Sequence, residues 1–586
     1  RLAAPAASVS EFDRLPIPYR AVATDISTGE EVVLARGSLV RAMRASMAIP
    51  GALAPVEIDD RLLVDGGISN NLPIDVVRNL CNAEVVIAVN IGTPALTREQ
   101  LGSSLAIVGQ LTSFLGKATV DRQLAGLTAR DVLIAPDLGD ISAASFDRQK
   151  EAIAIGEVAA RRQAGALAGY AVSPAQYAAL RERRQHAGTV LGPVDEIRFE
   201  GIERTNAEVL STLMASKPGR PLTEPQLDAD LRRIYGRGDF ESVDYRIERG
   251  PGRSALVVQV REKSIGPDYL RFGLALASDF HGQAHFNALA SYRRTWLNRA
   301  GGEWLSEAQV GKDNYLFSEF YQPFERRGRY FVAPYARISR STEDIFVGDD
   351  RVARYEVTET RLGVDLGTTL GTWGEVRIGP IFRDLDARTS TGSPLLPDID
   401  ANASGVRLRV FGDRYDFPWF PRSGHRTAVS AFASLGSLGA DQDYRRLEGS
   451  WSGAVSVGRH TFAATLHGGS NLGTELPGYE AFALGGPFRL SGYQIGQFAG
   501  QNSAFASLRY YKQVLRLPSV LGSGIYLGGS LEAGRVGRLL DGRRSTGTLH
   551  SASLYLGAET FLGPIFLGVG LASGGNHALY LILGGP

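Results

Sequence analysis

The sequence predicts a multi-domain chain: a partial α/β unit in front, a small α+β module behind it, and an antiparallel transmembrane β-barrel of about 16 strands at the rear. Three observations predict it. At 586 residues the chain is too long for one hydrophobic core. All five tryptophans and 16 of the 21 tyrosines lie beyond residue 265. Beyond that point the chain breaks into stretches of about ten residues with period-2 alternation, separated by Gly, Asn, Asp and Ser, as β-hairpins require.

Residues 11 to about 165 alternate short apolar strands with helical periods, an α/β signature. Val85-Val86-Ile87-Ala88-Val89 reads as a strand buried on both faces, as parallel sheets need. The stretch 104–125, with Leu105, Ile107, Val108, Leu111, Phe114 and Leu115, reads as an apolar helix, either part of the core or beside a lipid-binding cleft. A linker rich in Ala and Arg, interrupted at Ser173-Pro174, carries this front segment, 1–190, to the next module. Arg1-Leu2-Ala3-Ala4-Pro5 shows neither a charged start nor an apolar signal core, so the expectation is a chain that opens inside a longer protein.

Residues 193–263 read as strand, helix, helix, strand, strand. Val194 to Gly201 alternates and ends in a glycine turn, and Thr205 is the expected N-cap of the first helix. Thr223 with Gln226 resembles a capping box for the second, and Gly250-Pro251-Gly252 joins the last two strands.

From 265 to 586, Leu270, Phe272, Leu274 and Leu276 alternate with Arg271, Gly273, Ala275 and Ala277. Val406, Leu408 and Val410 alternate with Arg407 and Arg409, and Ile525, Leu527, Gly529 and Leu531 with Tyr526, Gly528, Ser530 and Glu532. A soluble sandwich also alternates. The length of the run, its lack of helices, aromatics suited to interfacial girdles and a face of small or charged residues favour a barrel with a wet lumen. Only a closed barrel bonds every backbone group of such strands in lipid.

The totals exclude several classes. With 63 basic and 62 acidic residues the formal charge is +1, too weak a field to argue for nucleic acid. Cys81 is the single cysteine, so no intrachain disulfide forms, and no Cys or His cluster has metal-ligand spacing. No cofactor is expected. No stretch reaches the 18 or so apolar residues of a membrane-spanning helix.

The strongest chemical signal is Leu62-Leu63-Val64-Asp65-Gly66-Gly67, an apolar strand ending in a carboxylate and two glycines. Taken alone, Asp-Gly-Gly is more often a turn than a catalytic site. With Val22-Ala23-Thr24-Asp25, Arg44-Ala45-Ser46-Met47-Ala48-Ile49-Pro50-Gly51 and Asn70-Asn71-Leu72-Pro73, it resembles the patatin-like phospholipase family in order and spacing. That resemblance implies a three-layer α/β fold, a Ser-Asp dyad and, at the matching position, Asp65 as the general base that takes the serine proton. Independently, all eight histidines (His186, His281, His285, His425, His460, His467, His550 and His577) lie outside the lipase-like stretch, so no triad histidine is available. No Gly-x-Ser-x-Gly elbow occurs in the chain. The expectation is that the nucleophile and the oxyanion loop lie upstream, and that this chain does not hydrolyse esters by itself. Ser46, without flanking glycines, is a poor substitute; Ser46 and Arg44 are expected to shape the wall around Asp65, and Asn70 and Asn71 to hold the turn after it.

Ile197-Arg198-Phe199-Glu200-Gly201, Tyr235-Gly236 and Gly238-Asp239-Phe240-Glu241-Ser242-Val243 resemble a POTRA domain, and with the barrel behind it the chain resembles the Omp85 superfamily. That resemblance implies a plug loop between strands eleven and twelve, matched by Gly485-Gly486-Pro487-Phe488-Arg489-Leu490-Ser491-Gly492-Tyr493. It implies a pair between Arg489 and a lumen-facing acid, for which Glu532 is the candidate. The whole order resembles the PlpD-like type Vd autotransporters. The resemblance implies an outer-membrane protein whose barrel and POTRA help a phospholipase reach the cell surface or the medium, the POTRA offering its strand edge to an extended passenger. The expected partners are the outer-membrane bilayer, membrane lipids with a phospholipid as substrate, and a second copy of the chain in a homodimer. Two rival readings are a transporter or assembly factor with an inert patatin segment, and a barrel that anchors a lipase facing the periplasm.

Overall fold

In a computed structural model the chain divides into two compact units. The first comprises Arg1–Glu200, Met214–Arg233 and Val243–Val260, the second Gly201–Leu213, Ile234–Ser242 and Arg261–Pro586. Residues 9–50, 53–92, 98, 104–139, 141, 148–186, 192–278, 284–325, 328–393, 396–517, 522–560 and 563–584 are described. The opening Arg1 to Pro5, Gly51 and His281 lie outside them.

The front of the first unit builds β1 (Ala21–Asp25), β2 (Glu31–Leu34), α1 (Leu39–Ser46), β3 (Val56–Ile58), β4 (Arg61–Asp65), α2 (Gly67–Asn70) and α3 (Ile74–Cys81). The four strands form one sheet in the order β2-β1-β4-β3, antiparallel throughout. Phe12, Ala21, Ala23, Ala42, Ala45 and Leu63 pack into a core on it. Then follow β5 (Ile87–Val89), α4 (Ser104–Ala125), β6 (Val132–Ile134), α5 (Gln149–Arg162), α6 (Ala164–Ala168) and α7 (Pro174–His186). Ser173 caps α7, its hydroxyl accepting from the Gln176 amide at 3.3 Å.

The expectation of a strand buried on both faces at 85–89 is not met. Among the described residues β5 pairs only with β6, in parallel, and while Val86 and Ala88 are buried, Ile87 and Val89 are exposed. One face is covered by Leu72, Ile74, Val120 and Leu124, and no described element covers the other. Helix α4 spans the expected residues, but Ile107, Leu111 and Phe114 are about half exposed and do not form a core stripe. The side chains of Leu105, Val108 and Leu115 lie outside the described set.

Next come β7 (Glu196–Glu200), α8 (Ala207–Leu213), α9 (Glu224–Tyr235), β8 (Phe240–Gly250) and β9 (Arg253–Glu262), in the expected order. The three strands form a sheet β7-β9-β8. Thr205 is not the N-cap. Asn206 is, its Oδ1 accepting from the Glu208 amide at 2.9 Å, because Thr205 is engaged elsewhere. Its amide and hydroxyl both donate to Glu262 at 2.8 Å. Gln226 does not close a capping box, since its amide donates to the Ser216 hydroxyl at 3.5 Å.

The second unit is dominated by a closed barrel. Its wall runs through β10 (Asp268–Ser278), β11 (Ala284–Arg294), β12 (Glu303–Gly311), β13 (Asn314–Pro323), β14 (Tyr330–Val347), β15 (Asp350–Thr369) and β16 (Gly374–Thr391). It continues through β17 (Ile399–Asn402), β18 (Gly405–Asp413), β19 (Gly424–Ser434), β20 (Tyr444–Val457), β21 (His460–Ser470) and β22 (Phe482–Leu484). The last strands are β23 (Phe498–Arg516), β24 (Gly522–Leu539), β25 (Leu549–Thr560), β26 (Gly563–Ala572) and β27 (His577–Leu583), and β27 pairs back onto β10. β16 pairs directly with β18 and β21 with β23, so β17 and β22 are short additions to a 16-strand wall. Alternation divides inside from outside. Leu270, Phe272, Leu274 and Leu276 are exposed on the outer face, as are Leu527 and Leu531, while Tyr526, Ser530 and Glu532 are buried inside. No described helix is long and apolar enough to cross a membrane.

The aromatics are not all interfacial. Trp304 and Trp451 are exposed, but Tyr335, Tyr444, Tyr511, Tyr526, Tyr555 and Tyr580 are buried inside the wall. The lumen is packed with rings as well as charges. Small residues make the room: a Cβ on Gly363 would lie 2.3 Å from the Tyr335 hydroxyl, and one on Gly367 2.2 Å from the Phe331 ring.

In the same unit Glu262 ties the chain ahead of the barrel to itself. It accepts from Arg204 Nε at 2.8 Å, from the Arg204 amide and from Thr205, while Arg204 Nη2 reaches the Lys263 carbonyl at 2.8 Å. Burial alone would raise this carboxyl, but Arg204 and Thr205 outweigh it and hold it at about 2. The linked stability is therefore complete above the ordinary value of 4.5 and is lost as pH falls from there through about 2. Glu262→Gln is expected to destabilise the native chain at pH 7 and to remove this acid-dependent loss, measured by urea unfolding at stepped pH.

Candidate active site and barrel plug

Asp65 ends β4, where antiparallel pairing places it opposite Ala23 of β1. Its amide donates to the Ala48 carbonyl at 3.0 Å and the Gly66 amide to the Ser46 carbonyl at 3.3 Å, so the end of α1 is laced to the strand tip. Thr24 Oγ1 donates to the Asp65 carbonyl at 3.0 Å and lies 2.8 Å from Ser69 Oγ. These bonds fix the backbone and leave the half-buried carboxylate with one described hydrogen bond, from the Gly67 amide to Oδ1 at 2.8 Å. Burial pushes the Asp65 carboxyl above the usual carboxylate range, and the Gly67 bond pulls it part of the way back.

The two glycines serve close approach more than a turn. Gly66 has an ordinary helical φ of −69°, but a Cβ there would lie 2.1 Å from the Val22 carbonyl oxygen. At Gly67 a Cβ would lie 3.0 Å from Asp65 Oδ1 and 2.9 Å from Asn71 Oδ1, and Gly116 of α4 approaches so closely that its Cβ would lie 2.6 Å from the Gly67 carbonyl. Asn70 does not hold a local turn. It is buried and donates to Glu31 Oε2 at 3.1 Å and Asp75 Oδ1 at 3.0 Å, bridging β2 to α3. Ser46 contributes its carbonyl to the wall, and Arg44 Nη2 is spent on the Ala54 carbonyl at 3.1 Å. Among the described residues no group of His, Cys, Asp and Glu could hold a metal ion.

In the second unit the connection between β21 and β23, the eleventh and twelfth wall strands, folds against the inner wall. Phe488 and Leu490 both have positive φ, 60° and 77°, a strain of about 1–3 kcal/mol each that the surroundings must hold. The Phe488 ring packs edge-on against Tyr555, Phe566 and Tyr580 at 5.3, 5.2 and 5.7 Å, with the Arg509 guanidinium 4.4 Å over it. Gly534 and Gly570 clear the path, since a Cβ on Gly570 would lie 2.5 Å from the Gly492 nitrogen and one on Gly534 3.0 Å from Leu490.

Glu532 meets this loop, but not through Arg489. Its carboxylate accepts from the Leu490 amide at 2.8 Å, the Ser491 amide at 2.7 Å and the Ser491 hydroxyl at 2.9 Å. The hydroxyls of Ser530 and Ser551 complete five donors at 2.5 and 2.9 Å. The expected Arg489–Glu532 pair is thus replaced: the tight turn that bonds the Arg489 amide to the Gly486 carbonyl at 3.0 Å presents the next two amides to the acid. Alternation identified Glu532 as lumen-facing. The seryl donors and the Phe488 anchor carry no motif of their own, and only the glycines at 534 and 570 hint at a close approach.

Residues 7–78 match the patatin-like phospholipase family, residues 193–263 the POTRA family described as a surface antigen variable number repeat, and residues 305–533 the Omp85 superfamily domain. The chain is a patatin–POTRA–Omp85 fusion. The patatin part of this fusion is 52% identical over 80 residues to an uncharacterized NTE family protein of Mycobacterium bovis, covering 14% of the chain and 22% of that protein. It is 44% identical over 85 residues to patatin-like phospholipase domain-containing protein 7 of Mus musculus, covering 14% of the chain and 6% of that protein. The fusion therefore spans less than a quarter of the length of these relatives. Over 67% of this chain and 84% of that one, the fold is similar to that of BamA from Haemophilus ducreyi lacking POTRA domains 1–3, with a TM-score of 0.52 at 15% identity.

Glu532→Ala is expected to destabilise the fusion by about 2 kcal/mol or more, since it leaves the Leu490 and Ser491 amides buried and unpaired. Arg489→Gln, which removes no bond to Glu532, costs less. Urea unfolding in detergent compares the two.

Proposed function

We propose that the fusion is an outer-membrane autotransporter carrying a serine lipolytic hydrolase, with Asp65 as its general base and a glycerophospholipid ester as substrate. One observation carries the reading: a half-buried carboxylate at a strand tip, its backbone tied down by Ala48 and Thr24 and its free oxygen uncommitted, inside a patatin-like stretch without histidine. In that setting Asp65 accepts the proton of a serine hydroxyl as the oxygen attacks the ester carbonyl. The acyl-enzyme then forms as the alcohol leaves, taking a proton, and water releases the fatty acid while Asp65 again serves as base. A carboxyl raised by burial is the stronger base for both steps. The match of residues 305–533 to the Omp85 superfamily domain also supports a second reading, an Omp85-type transporter with an inert patatin segment.

The assay is hydrolysis of phospholipid micelles by the protein as its whole gene encodes it. Asp65→Asn is expected to lower kcat by about 10²–10⁴-fold with the fold intact. The acid limb of kcat/KM is expected above the usual carboxylate range, because Asp65 must be ionised to act and its carboxyl is raised. Fluorophosphonate labelling identifies the serine. Lack of both hydrolysis and labelling establishes the inert reading. For the transport role, protease added to intact cells is expected to reach the patatin segment.

A further inference from the structure

On the inner wall of the barrel, strand register stacks arginines beside one another. Arg337 of β14 lies directly opposite Arg361 of β15, and Arg361 opposite Arg383 of β16. Arg409 of β18 lies opposite Arg377 of β16, and Arg407 stands two residues away on the same face. Directly opposed residues bring their Cβ atoms to about 5 Å, so like charges in these positions repel unless something neutralises them.

Carboxylates neutralise only part of the array. Glu319 and Glu375 each bond Arg377 at 2.6 Å; Glu359 and Glu480 bond Arg383 at 2.7 and 2.6 Å. Glu359 also takes Arg361, and Asp365 takes Arg409. Arg337 and Arg407 have no carboxylate among the described residues. Arg337 lies over the Tyr315 ring at 4.1 Å, and Arg407 Nη2 donates to the Tyr335 hydroxyl at 2.7 Å. Furthermore, Nε of Arg337, Arg361, Arg407 and Arg409 is buried without a hydrogen-bond partner in the described chain. Four such N–H donors on neighbouring guanidinium groups, two of those groups without a described counter-ion, leave this stretch of wall with donors and positive charge to offer an anion.

Tyr335 gathers the group. Its ring lies across Gly363, where a Cβ would clash, and the guanidinium groups of Arg407 and Arg409 sit 5.3 and 6.0 Å from its centroid. Because its oxygen accepts from Arg407, its own proton is left to donate. Donors in this number suit a tetrahedral oxyanion with several terminal oxygens better than a planar carboxylate, and arginine forks are the usual partners of phosphate. We infer that this stretch of the inner wall, around Tyr335 with Arg337, Arg361, Arg407 and Arg409, binds a phosphate-type anion, either free or as the headgroup of a phosphomonoester lipid.

Calorimetric titration of the full chain in dodecyl maltoside, at fixed ionic strength in chloride, tests the site. Inorganic phosphate is one titrant and short-chain phosphatidic acid, below its micelle concentration, the other. At least one is expected to saturate near one per chain: phosphate alone or both marks a free anion, phosphatidic acid alone a headgroup. The R337Q/R407Q double variant is expected to bind that titrant at least tenfold more weakly. Neither arginine bonds an acid, so no carboxylate is orphaned, and the gel mobility of unheated against heated samples checks that the barrel is closed. If the double variant does not fold, Arg407→Lys, which keeps the charge but removes Nε, is expected to lose at least threefold. Absence of saturable binding by either titrant, or wild-type affinity in the folded variant, overturns the inference.

Discussion

Everything in the rear half follows from one constraint: in hydrocarbon no backbone N–H or C=O can be left unbonded, so a strand may enter only if it has a neighbour on each side. Sixteen strands meet that condition by closing β27 onto β10. Closure then imposes a strict inside and outside, and the period-2 pattern assigns every residue to one or the other. Leucine and phenylalanine at 270, 272, 274 and 276 go to the lipid, and arginine at 407 and 409 goes inward. The inward charges need partners of their own, so acids stand beside Arg377 and Arg383, and glycines at 363 and 367 leave room for the Tyr335 and Phe331 rings.

The same economy governs the loop inside. Positive φ at Phe488 and Leu490 is unfavourable for both residues, and it persists because one carboxylate collects two amides and a hydroxyl from the loop while an aromatic cluster holds the ring of Phe488. In the front unit the balance differs. There the backbone around Asp65 is tightly bonded while its carboxylate holds one described hydrogen bond, from the Gly67 amide, so the acid is oriented without being consumed.

Much of this was legible from residue order. Alternation marked the barrel, its lumen face and Glu532, and the strand–helix–helix–strand–strand order of 193–263 followed from alternation and glycine turns, although neither expected cap forms. What was not legible has physical reasons. The partner of Glu532 could not be read, because amides at 490 and 491 become donors only once the chain turns at 486–489, and backbone geometry leaves no side-chain signature. The exposed faces of Ile87 and Val89 were missed because an apolar run records what a strand can bury and not what lies against it. Thr205 was misassigned as a cap because its hydroxyl finds Glu262, 57 residues away, a pairing beyond any local rule. Aromatics were expected in girdles, yet Tyr335, Tyr444, Tyr511, Tyr526, Tyr555 and Tyr580 fill the lumen, a distinction that composition cannot make.

The five donors gathered on Glu532 have a mechanical consequence. Three of them come from the loop, and withdrawing it would break all three in the same movement, leave Ser530 and Ser551 behind on the wall and lift Phe488 out of its ring of neighbours. It behaves as a keystone rather than a hinge.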